Sequence, residues 1–487
     1  MYAFETATQL IARLRSGKLK ARDLLEEYLD RVDRLNPKIN AIIWEDRAGA
    51  RAAADRADRQ GPLAGLPMTV KEAYDLTGSP NTWGIPELAN NISSADAVVV
   101  ERLRAAQGVI FGKTNVPLGL GDFQSYNAIY GTTNNPWDVS CGPGGSSGGS
   151  AAALAAGLCG LEMGSDIGGS IRNPAHFCGV FGHKPTFGLV PSRGHAPPGV
   201  LSGADIAVVG PMSRGAADLD LAMDLLSSPD ALDAPRAALA PFGDRRLKDL
   251  KVAVWQDDAF ASVSKACRAA VDRVADACRQ GGARVDMAAR PAFDSASSHA
   301  LYSSLLQGAL ASSLPPHVYE EQKRLAASAD TSDAAELART QTADHRTWLM
   351  HNEGREKLRW AWHEFFKDFD VVLAPVTLTT AFAHDHSPNS ERTIKVDNEI
   401  RPYWSQVFWA GLTGVAYLPS TVIPAGQSEP LPVGVQIIGP AWGDRTTIGV
   451  ARLLEAEGFA FKARPDTEFD AGHRARPSQR SPGEVLG

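Results

Sequence analysis

Two serine-containing, glycine-rich runs are the parts of this sequence best suited to covalent chemistry. Ser146 lies in the run 142–150, and Ser170 lies in the run 164–172. A serine hydroxyl is a weak nucleophile at neutral pH and needs a base. Glycines let the backbone approach a substrate closely and aim N–H groups at a developing negative charge. We therefore predict a nucleophilic serine site whose oxyanion hole is formed by the backbone N–H groups of Ile167, Gly168, Gly169 and Ser170.

A candidate base lies at the end of an apolar segment. Residues 66–70, Leu-Pro-Met-Thr-Val, predict a buried strand that delivers Lys71 at its end. A lysine acts as a base only in its neutral form, which burial favours. Most lysines at strand ends lie at the surface, so residue types alone leave the role of Lys71 open.

The glycine-rich runs have other interpretations. Either run by itself is typical of a flexible loop. Residues 145–149 also satisfy G-x-S-x-G with Ser147 at the centre, the nucleophile elbow of α/β-hydrolase esterases. An elbow must follow a strand, however, and residues 140–143 contain no β-branched run. We therefore favour a site built on Ser146 and Ser170 over one built on Ser147.

The elements around these residues alternate between strand and helix. An apolar stripe over 24–35 predicts a helix that ends before Pro37, and an alanine-rich helix is expected over 150–158, between the two runs. Residues 212–365 are mostly helical in pattern, and strand signals return at 420–423 and 433–438. This alternation predicts an α/β fold with a covered sheet.

Composition restricts the class of protein. The net charge of −7 disfavours a nucleic-acid partner, and no apolar run of about 18 residues predicts a membrane span. Five cysteines without a CxxC pair, and no secretory signal, predict a cytoplasmic protein without disulfides. No motif for a metal site is present, so neither metal nor cofactor is expected.

Several longer motifs together resemble the amidase signature family. Residues 66–71 resemble the strand that carries the catalytic lysine of that family, and residues 431–439 resemble its C-terminal strand. The remaining matches are the runs 111–115, 135–137, 144–150, 164–172 and 178–186. The resemblance extends from about residue 5 to residue 460.

The resemblance implies a serine amidohydrolase with a Ser–cisSer–Lys triad. Ser170 would be the nucleophile, Ser146 the proton relay behind a cis peptide bond, and Lys71 the base. Such an enzyme hydrolyses linear carboxamides through an acyl-enzyme on Ser170. Some members of the family also cleave anilides, esters or carbamates.

The resemblance also implies the domain organisation. We expect a single α/β/α domain over residues 1–463, in which helices cover a mixed, twisted central sheet. Its helical insertion and substrate-side region would span about residues 212–405. Residues 464–487 are polar and are expected to form a disordered tail.

The family includes the glutaminase (A) subunit of tRNA-dependent amidotransferases, which is the alternative function. Residues 195–199, His-Ala-Pro-Pro-Gly, depart from that pattern, whereas residues 70–78 and 82–84 resemble stand-alone amidases. We therefore expect a stand-alone enzyme, which could form a homodimer, that acts on neutral apolar or aryl amides. Ester and carbamate cleavage are expected as side activities.

Other notable side chains have structural expectations. Asp166 and Arg172 are expected to form a buried ion pair that braces the nucleophile loop, and Glu72 is expected to be solvated. Aromatic residues are concentrated in the second half of the chain. Most are expected in the core, and some are expected to line an apolar tunnel: Trp348, Trp360, Trp362, Phe365, Phe366, Tyr403, Trp404, Phe408 and Trp409.

Overall fold

The structure, a computed structural model, describes residues 2–230, 239–428 and 430–464. The predicted tail, apart from Arg464, lies outside the described residues. The helices are α1 (Ala7–Arg15), α2 (Ala21–Ile39), α3 (Arg47–Arg56), α4 (Val98–Ala105), α5 (Gly148–Ala155), α6 (Arg172–Cys178), α7 (Ala216–Leu226), α8 (Lys265–Gln280), α9 (Ser295–Ala311), α10 (Pro316–Ala326), α11 (Asp333–Gln341), α12 (His345–Phe365), α13 (Phe408–Gly414) and α14 (Asp444–Ala456). None of these described helices is both long and apolar enough to cross a bilayer.

The strands form one large sheet, one small sheet and two hairpins. They are β1 (Ile42–Glu45), β2 (Pro67–Lys71), β3 (Val109–Thr114), β4 (Tyr126–Asn127), β5 (Gly131–Thr132), β6 (Glu162–Asp166), β7 (Phe181–Lys184), β8 (Val208–Ser213), β9 (Lys251–Val254), β10 (Arg284–Asp286), β11 (Val371–Pro375), β12 (Thr393–Val396), β13 (Glu399–Pro402), β14 (Ser420–Ser428) and β15 (Leu431–Ile438).

The large sheet is mixed and has the strand order β10-β9-β11-β15-β14-β7-β8-β6. The pairs β10–β9 and β9–β11 are parallel, whereas the pairs from β11 through β15, β14, β7 and β8 to β6 are antiparallel. Helices pack against this sheet because packing buries the apolar faces of both away from water. In α8, for example, Cys267, Val271 and Val274 are fully or almost fully buried. The predicted α/β fold with a helix-covered mixed sheet is confirmed.

The small sheet, in the order β1-β3-β2, adjoins the β6 edge of the large sheet. The Gly160 N–H donates to the Pro67 carbonyl at 3.0 Å, which joins the start of β2 to the turn before β6. Every residue of β2 and β6 is buried. Lys71 at the end of β2 and Asp166 at the end of β6 therefore lie in one covered region.

The helix predicted to end before Pro37 instead continues to Ile39, with Pro37 inside its last turn. A proline near a helix C-terminus removes one N–H donor from the ladder but leaves the preceding turns intact. Asn40 ends the helix in a left-handed conformation, and its N–H donates to the Asn36 carbonyl at 2.6 Å.

Candidate active site

Lys71 is fully buried and is surrounded by serine hydroxyls. Its Nζ lies 2.6 Å from Ser146 Oγ, 3.0 Å from Ser147 Oγ and 2.9 Å from Ser165 Oγ. A neutral amine in this position can donate two hydrogens and accept one. Burial lowers the pKa of Lys71 to about 7, although nearby carboxylates, Asp166 foremost, raise it. The amine therefore has a large neutral fraction near pH 7.

Ser146 precedes α5 in a closely packed bend, and the Gly145–Ser146 peptide bond is cis, as the resemblance implies. The Gly145 N–H donates to Asn173 Oδ1 at 3.2 Å. A Cβ on Gly145 would come within 2.2 Å of the Asp122 carbonyl oxygen, so only glycine fits there. Packing of this kind fixes the position of the Ser146 hydroxyl beside Lys71.

Ser170 lies in the turn between β6 and α6, where its side chain faces a cavity of about 670 Å³ that Ser146 also lines. The residue is 7% exposed, and its hydroxyl makes no hydrogen bond within the described part of the chain. The Ser147 N–H donates to the Ser170 carbonyl at 3.1 Å, which joins the two glycine-rich runs. The structure thus places Lys71, Ser146 and Ser170 in one region, with Ser146 and Ser170 on one cavity.

The expectation of four oxyanion donors requires a correction at Gly169. The Gly169 N–H donates to Asp166 Oδ1 at 2.9 Å, so the Asp166 carboxylate already uses it. The N–H groups of Ile167, Gly168 and Ser170 donate to no residue that the structure describes. These three N–H groups therefore stay candidates for the predicted oxyanion hole.

Asp166 and Arg172 form the predicted buried ion pair, with Arg172 Nη2 and Asp166 Oδ1 2.9 Å apart. Burial alone would raise the pKa of Asp166, but the Arg172 guanidinium lowers it well below the usual range. Arg172 also donates to Thr413 Oγ1 at 2.7 Å, which links the loop to α13. The pair therefore supports the loop that carries Ser170.

Ser147, the centre of the elbow pattern, is fully buried and does not line the cavity. Its Oγ is 3.0 Å from Lys71 Nζ and 3.3 Å from both the Ser165 carbonyl and the Ser165 N–H. No strand precedes it, because residues 142–147 are irregular. The structure lacks the exposed strand-to-helix elbow that an α/β-hydrolase nucleophile requires.

Glu72 is fully buried rather than solvated, which corrects the expectation. Its carboxylate accepts the Thr82 N–H at 2.5 Å, the Thr82 hydroxyl at 2.7 Å and the Trp83 N–H at 2.9 Å. Trp83 in turn lines the cavity. Glu72 therefore links Trp83, a cavity-wall residue, to the strand that carries Lys71.

The cavity wall is mainly apolar, but it does not use the aromatic residues from which a tunnel was expected. None of the nine is among the described residues that line it. Several are packed in the core, as expected for most of them; Trp362 and Trp409, for example, are fully buried. Large apolar side chains on the wall come from four other segments: Trp83, Ile85, Leu120, Val200, Val208, Val209 and Leu310.

Two buried histidines near this loop have structural partners. His176 Nδ1 accepts the Gly434 N–H at 2.8 Å, and burial lowers the pKa of this imidazole to about 4. His183 Nε2 lies 3.1 Å from Asp444 Oδ1. All five cysteines are buried and free. Within the described ranges no three His, Cys, Asp or Glu side chains are placed to hold a metal ion.

Sequence reasoning missed three residues around Lys71, Ser146 and Ser170: Ser165, which contacts Lys71, Trp83, which lines the cavity, and Glu72, which accepts the Trp83 N–H. Ser165 directly precedes Asp166 in the second glycine-rich run, so its position was a usable signal. The contact between Glu72 and Trp83 depends on how the loop folds over β2, and no local pattern indicates it.

Comparisons with known proteins point to one family. The family model described as Amidase matches residues 23–448. An indoleacetamide hydrolase of Bradyrhizobium diazoefficiens is 32% identical over 92% of this chain and 86% of its own length. The (A) subunit of a glutamyl-tRNA(Gln) amidotransferase of Desulforudis audaxviator is 31% identical over 99% of both chains.

The fold also matches a solved structure. A bacterial aryl acylamidase of the amidase signature family superposes with a TM-score of 0.80 over 98% of this chain and 99% of that chain, at 22% identity. At that identity the likeness concerns the fold alone. The family match and the two long alignments above 30% identity carry the assignment: this chain belongs to the amidase signature family.

Proposed function

We propose that this protein is a stand-alone serine amidohydrolase that cleaves neutral carboxamides with Ser170 as nucleophile, Ser146 as proton relay and Lys71 as base. One observation carries the proposal. A fully buried lysine, with its pKa lowered to about 7, contacts the hydroxyl of Ser146, and Ser146 shares a cavity with the unpartnered hydroxyl of Ser170. Burial supplies the neutral amine that a base requires.

The reaction follows from these positions. Neutral Lys71 accepts the proton of Ser146 as Ser146 accepts the proton of Ser170, and Ser170 Oγ attacks the carbonyl carbon. The N–H groups of Ile167, Gly168 and Ser170 stabilise the resulting oxyanion. The proton then returns through Ser146 to the leaving amine, and the C–N bond breaks. Water attacks the acyl-enzyme by the same relay and releases the carboxylic acid.

The cavity supports a neutral, partly apolar acyl or aryl amide as substrate. Its two acidic wall residues, Asp166 and Asp205, are ion-paired with Arg172 and Arg355. Within the described ranges no lysine or arginine lines the cavity, so no fixed clamp for an anionic substrate is present there. Indoleacetamide, which the Bradyrhizobium relative is named for, is an uncharged primary amide whose acyl group carries an aromatic ring. Esters and carbamates would be side substrates.

The helical insertion supplies part of the substrate side of this proposal. Ala309 and Leu310 of α9, with Ser312 and Ser313 after it, line the cavity together with the two serine-bearing loops. These residues fall inside the segment 212–405 expected to face the substrate. We therefore assign acyl or amine selectivity to that segment and bond cleavage to the segment 71–172.

The test is hydrolysis of an anilide, a long-chain aliphatic amide, an aryl carbamate and glutamine at equal concentration. Ser170→Ala should abolish turnover of every substrate while leaving the fold intact, with a loss of more than about 10³-fold. Ser147→Ala is the comparison for the elbow alternative and should lose far less turnover than Ser170→Ala, because Ser147 contacts Lys71 but does not line the cavity. Loss of activity in Ser147→Ala together with retained activity in Ser170→Ala would contradict the assignment.

A glutaminase function within an amidotransferase remains the second candidate, because the Desulforudis relative, which is named as part of such a complex, aligns with 99% of this chain. Glutamine carries a free carboxylate and an ammonium group, and the described part of the cavity wall lacks a cation for the former. Turnover of glutamine alone, or activity only after amidotransferase partner proteins are added, would replace the stand-alone proposal with this one.

A further inference from the structure

The helical insertion reaches the nucleophile loop through one hydrogen bond. Tyr302 lies in the middle of α9, and its side chain is fully buried. Its hydroxyl donates to the Ile167 carbonyl at 2.9 Å. Ile167 belongs to the loop that offers the oxyanion donors, and Tyr302 is 135 residues away along the chain. No part of the serine chemistry described above uses this tyrosine.

The bond constrains the direction of a neighbouring donor. A trans peptide is planar, and its N–H points opposite to its C=O. The peptide that carries the Ile167 carbonyl also carries the Gly168 N–H. When Tyr302 holds the carbonyl, the Gly168 N–H is held in the opposite direction. Gly168 is one of the three loop N–H groups that donate to no described residue.

The tyrosine itself is held firmly in place. A Cβ on Gly411 would come within 2.5 Å of the Tyr302 ring, and one on Gly414 within 3.0 Å, so α13 packs its backbone directly against the ring. Burial raises the pKa of the Tyr302 hydroxyl well above its usual value, so the hydroxyl stays protonated and remains a donor. A fixed, protonated donor can set the orientation of a glycine-rich loop that has few side chains of its own.

We propose that Tyr302 is a positioning residue that holds the Ile167–Gly168 peptide so that the Gly168 N–H donates to the oxyanion formed on Ser170. The inference rests on the proposed function, because it requires Ser170 to be the nucleophile. Tyr302 does not touch the reacting atoms; it acts through the peptide that does. Loss of the Tyr302 hydroxyl should therefore reduce stabilisation of the transition state more than it reduces binding of the substrate.

The first measurement is the steady-state kinetics of Tyr302→Phe, which keeps the ring and removes only the hydroxyl. We expect kcat to fall by about 10- to 100-fold with KM nearly unchanged, somewhat less than the loss of an entire oxyanion donor. The fall in kcat should be equal for amides and esters, because both form an oxyanion.

Tyr74→Phe is the matched control: Tyr74 is also fully buried and donates to a carbonyl, that of Gly164, at 2.7 Å. Its kcat should stay close to that of the wild type.

A second measurement does not depend on how much of the variant is folded. A trifluoromethyl ketone adds to a serine hydroxyl and forms an oxyanion, whereas the corresponding methyl ketone binds without adding appreciably. The inhibition constant of the methyl ketone divided by that of the trifluoromethyl ketone, taken in one preparation, reports addition to the serine together with stabilisation of the resulting oxyanion. We expect Tyr302→Phe to lower that ratio by the same factor as kcat and Tyr74→Phe to leave it unchanged.

The outcomes separate the two proposals. If the wild type does not prefer the trifluoromethyl ketone, the nucleophilic-serine function fails, and the role of Tyr302 fails with it. If the wild type prefers it and Tyr302→Phe prefers it equally, only the role of Tyr302 is overturned. A rise in KM without a fall in kcat would also overturn that role, because it would place Tyr302 in substrate binding.

Discussion

At the residue scale, the proposed chemistry depends on the protonation state of Lys71. Burial lowers the pKa of Lys71 to about 7, and the working form is the neutral amine. The neutral fraction rises with pH, so activity should rise through about pH 7 and level off above it. A pH profile of kcat/KM on a neutral amide measures this directly. An activity maximum at acid pH, or a flat profile, would count against Lys71 as the base.

Removal of the lysine should distinguish amides from esters. Lys71→Ala removes the amine that lies 2.6 Å from Ser146 Oγ, which is the group proposed to accept the serine proton and return it to the leaving group. An amine leaving group must be protonated before it departs, whereas the alkoxide or phenoxide of an activated ester needs less help. We expect kcat/KM to fall by at least about tenfold more on an anilide than on the matching nitrophenyl ester. Equal losses on both substrates would contradict a relay that returns the proton.

The candidate site residues could largely be predicted from the sequence, whereas the side chains that surround them could not. Lys71, Ser146 and Ser170 lie in compact motifs whose residue types already limit the chemistry. Glu72 shows the limit of such reasoning. A carboxylate beside a lysine is usually solvated, and only the fold of the Thr82–Trp83 loop over β2 buries it.

At the element scale, α9 connects the cavity to the loop that bears Ser170. Leu310, near its C-terminal end, is 39% exposed and lines the cavity. Leu310→Ala should raise KM for an apolar amide by about three- to tenfold with little change in kcat, because part of the side chain's apolar contact is lost. Steady-state kinetics on the long-chain aliphatic amide measure the effect.

Leu337→Ala provides the control for this prediction. Leu337 lies in α11 and is 41% exposed, similar to Leu310, but it does not line the cavity. Its replacement should leave both KM and kcat unchanged. If both variants raise KM to the same extent, the effect is a general weakening of the helical insertion rather than a loss of substrate contact.

The elements themselves were predictable where period and residue type agreed. The apolar segment 66–70 predicted β2, and the structure has a fully buried strand there. For the aromatic residues of 345–410, the expectation of a core position is confirmed for several, whereas the expectation that some line a tunnel is wrong, because apolar side chains at helical spacing serve a core and a cavity equally. Trp362 and Trp409 face the core, and the wall comes instead from loops and strand ends such as Trp83 and Val208.

At the scale of the whole molecule, the site joins segments that are distant along the chain. The proposed base comes from β2, the proposed relay from the bend before α5, the proposed nucleophile from the turn after β6 and one cavity wall from the end of α9. Sequence motifs indicate each local piece. The contact between Tyr302 and Ile167, across 135 residues, follows only from the packing of α9 and α13 against the loop.

The positions of these residues along the chain predict which segment can be removed without loss of activity. All residues of the proposed triad, the oxyanion loop and the cavity wall lie between Lys71 and Ser313. Phe461, by contrast, packs against Phe4, with ring centroids 6.3 Å apart. A chain that ends at Arg464 should therefore keep its kcat/KM and its melting temperature.

A chain that ends at Glu457 also loses Phe459 and Phe461 and should melt at least about 2 °C lower, because buried aromatic contact is removed. Thermal unfolding and anilide hydrolysis, measured on both chains, test this. A large loss of melting temperature on removal of residues 465–487 alone would show that the polar tail packs against the domain.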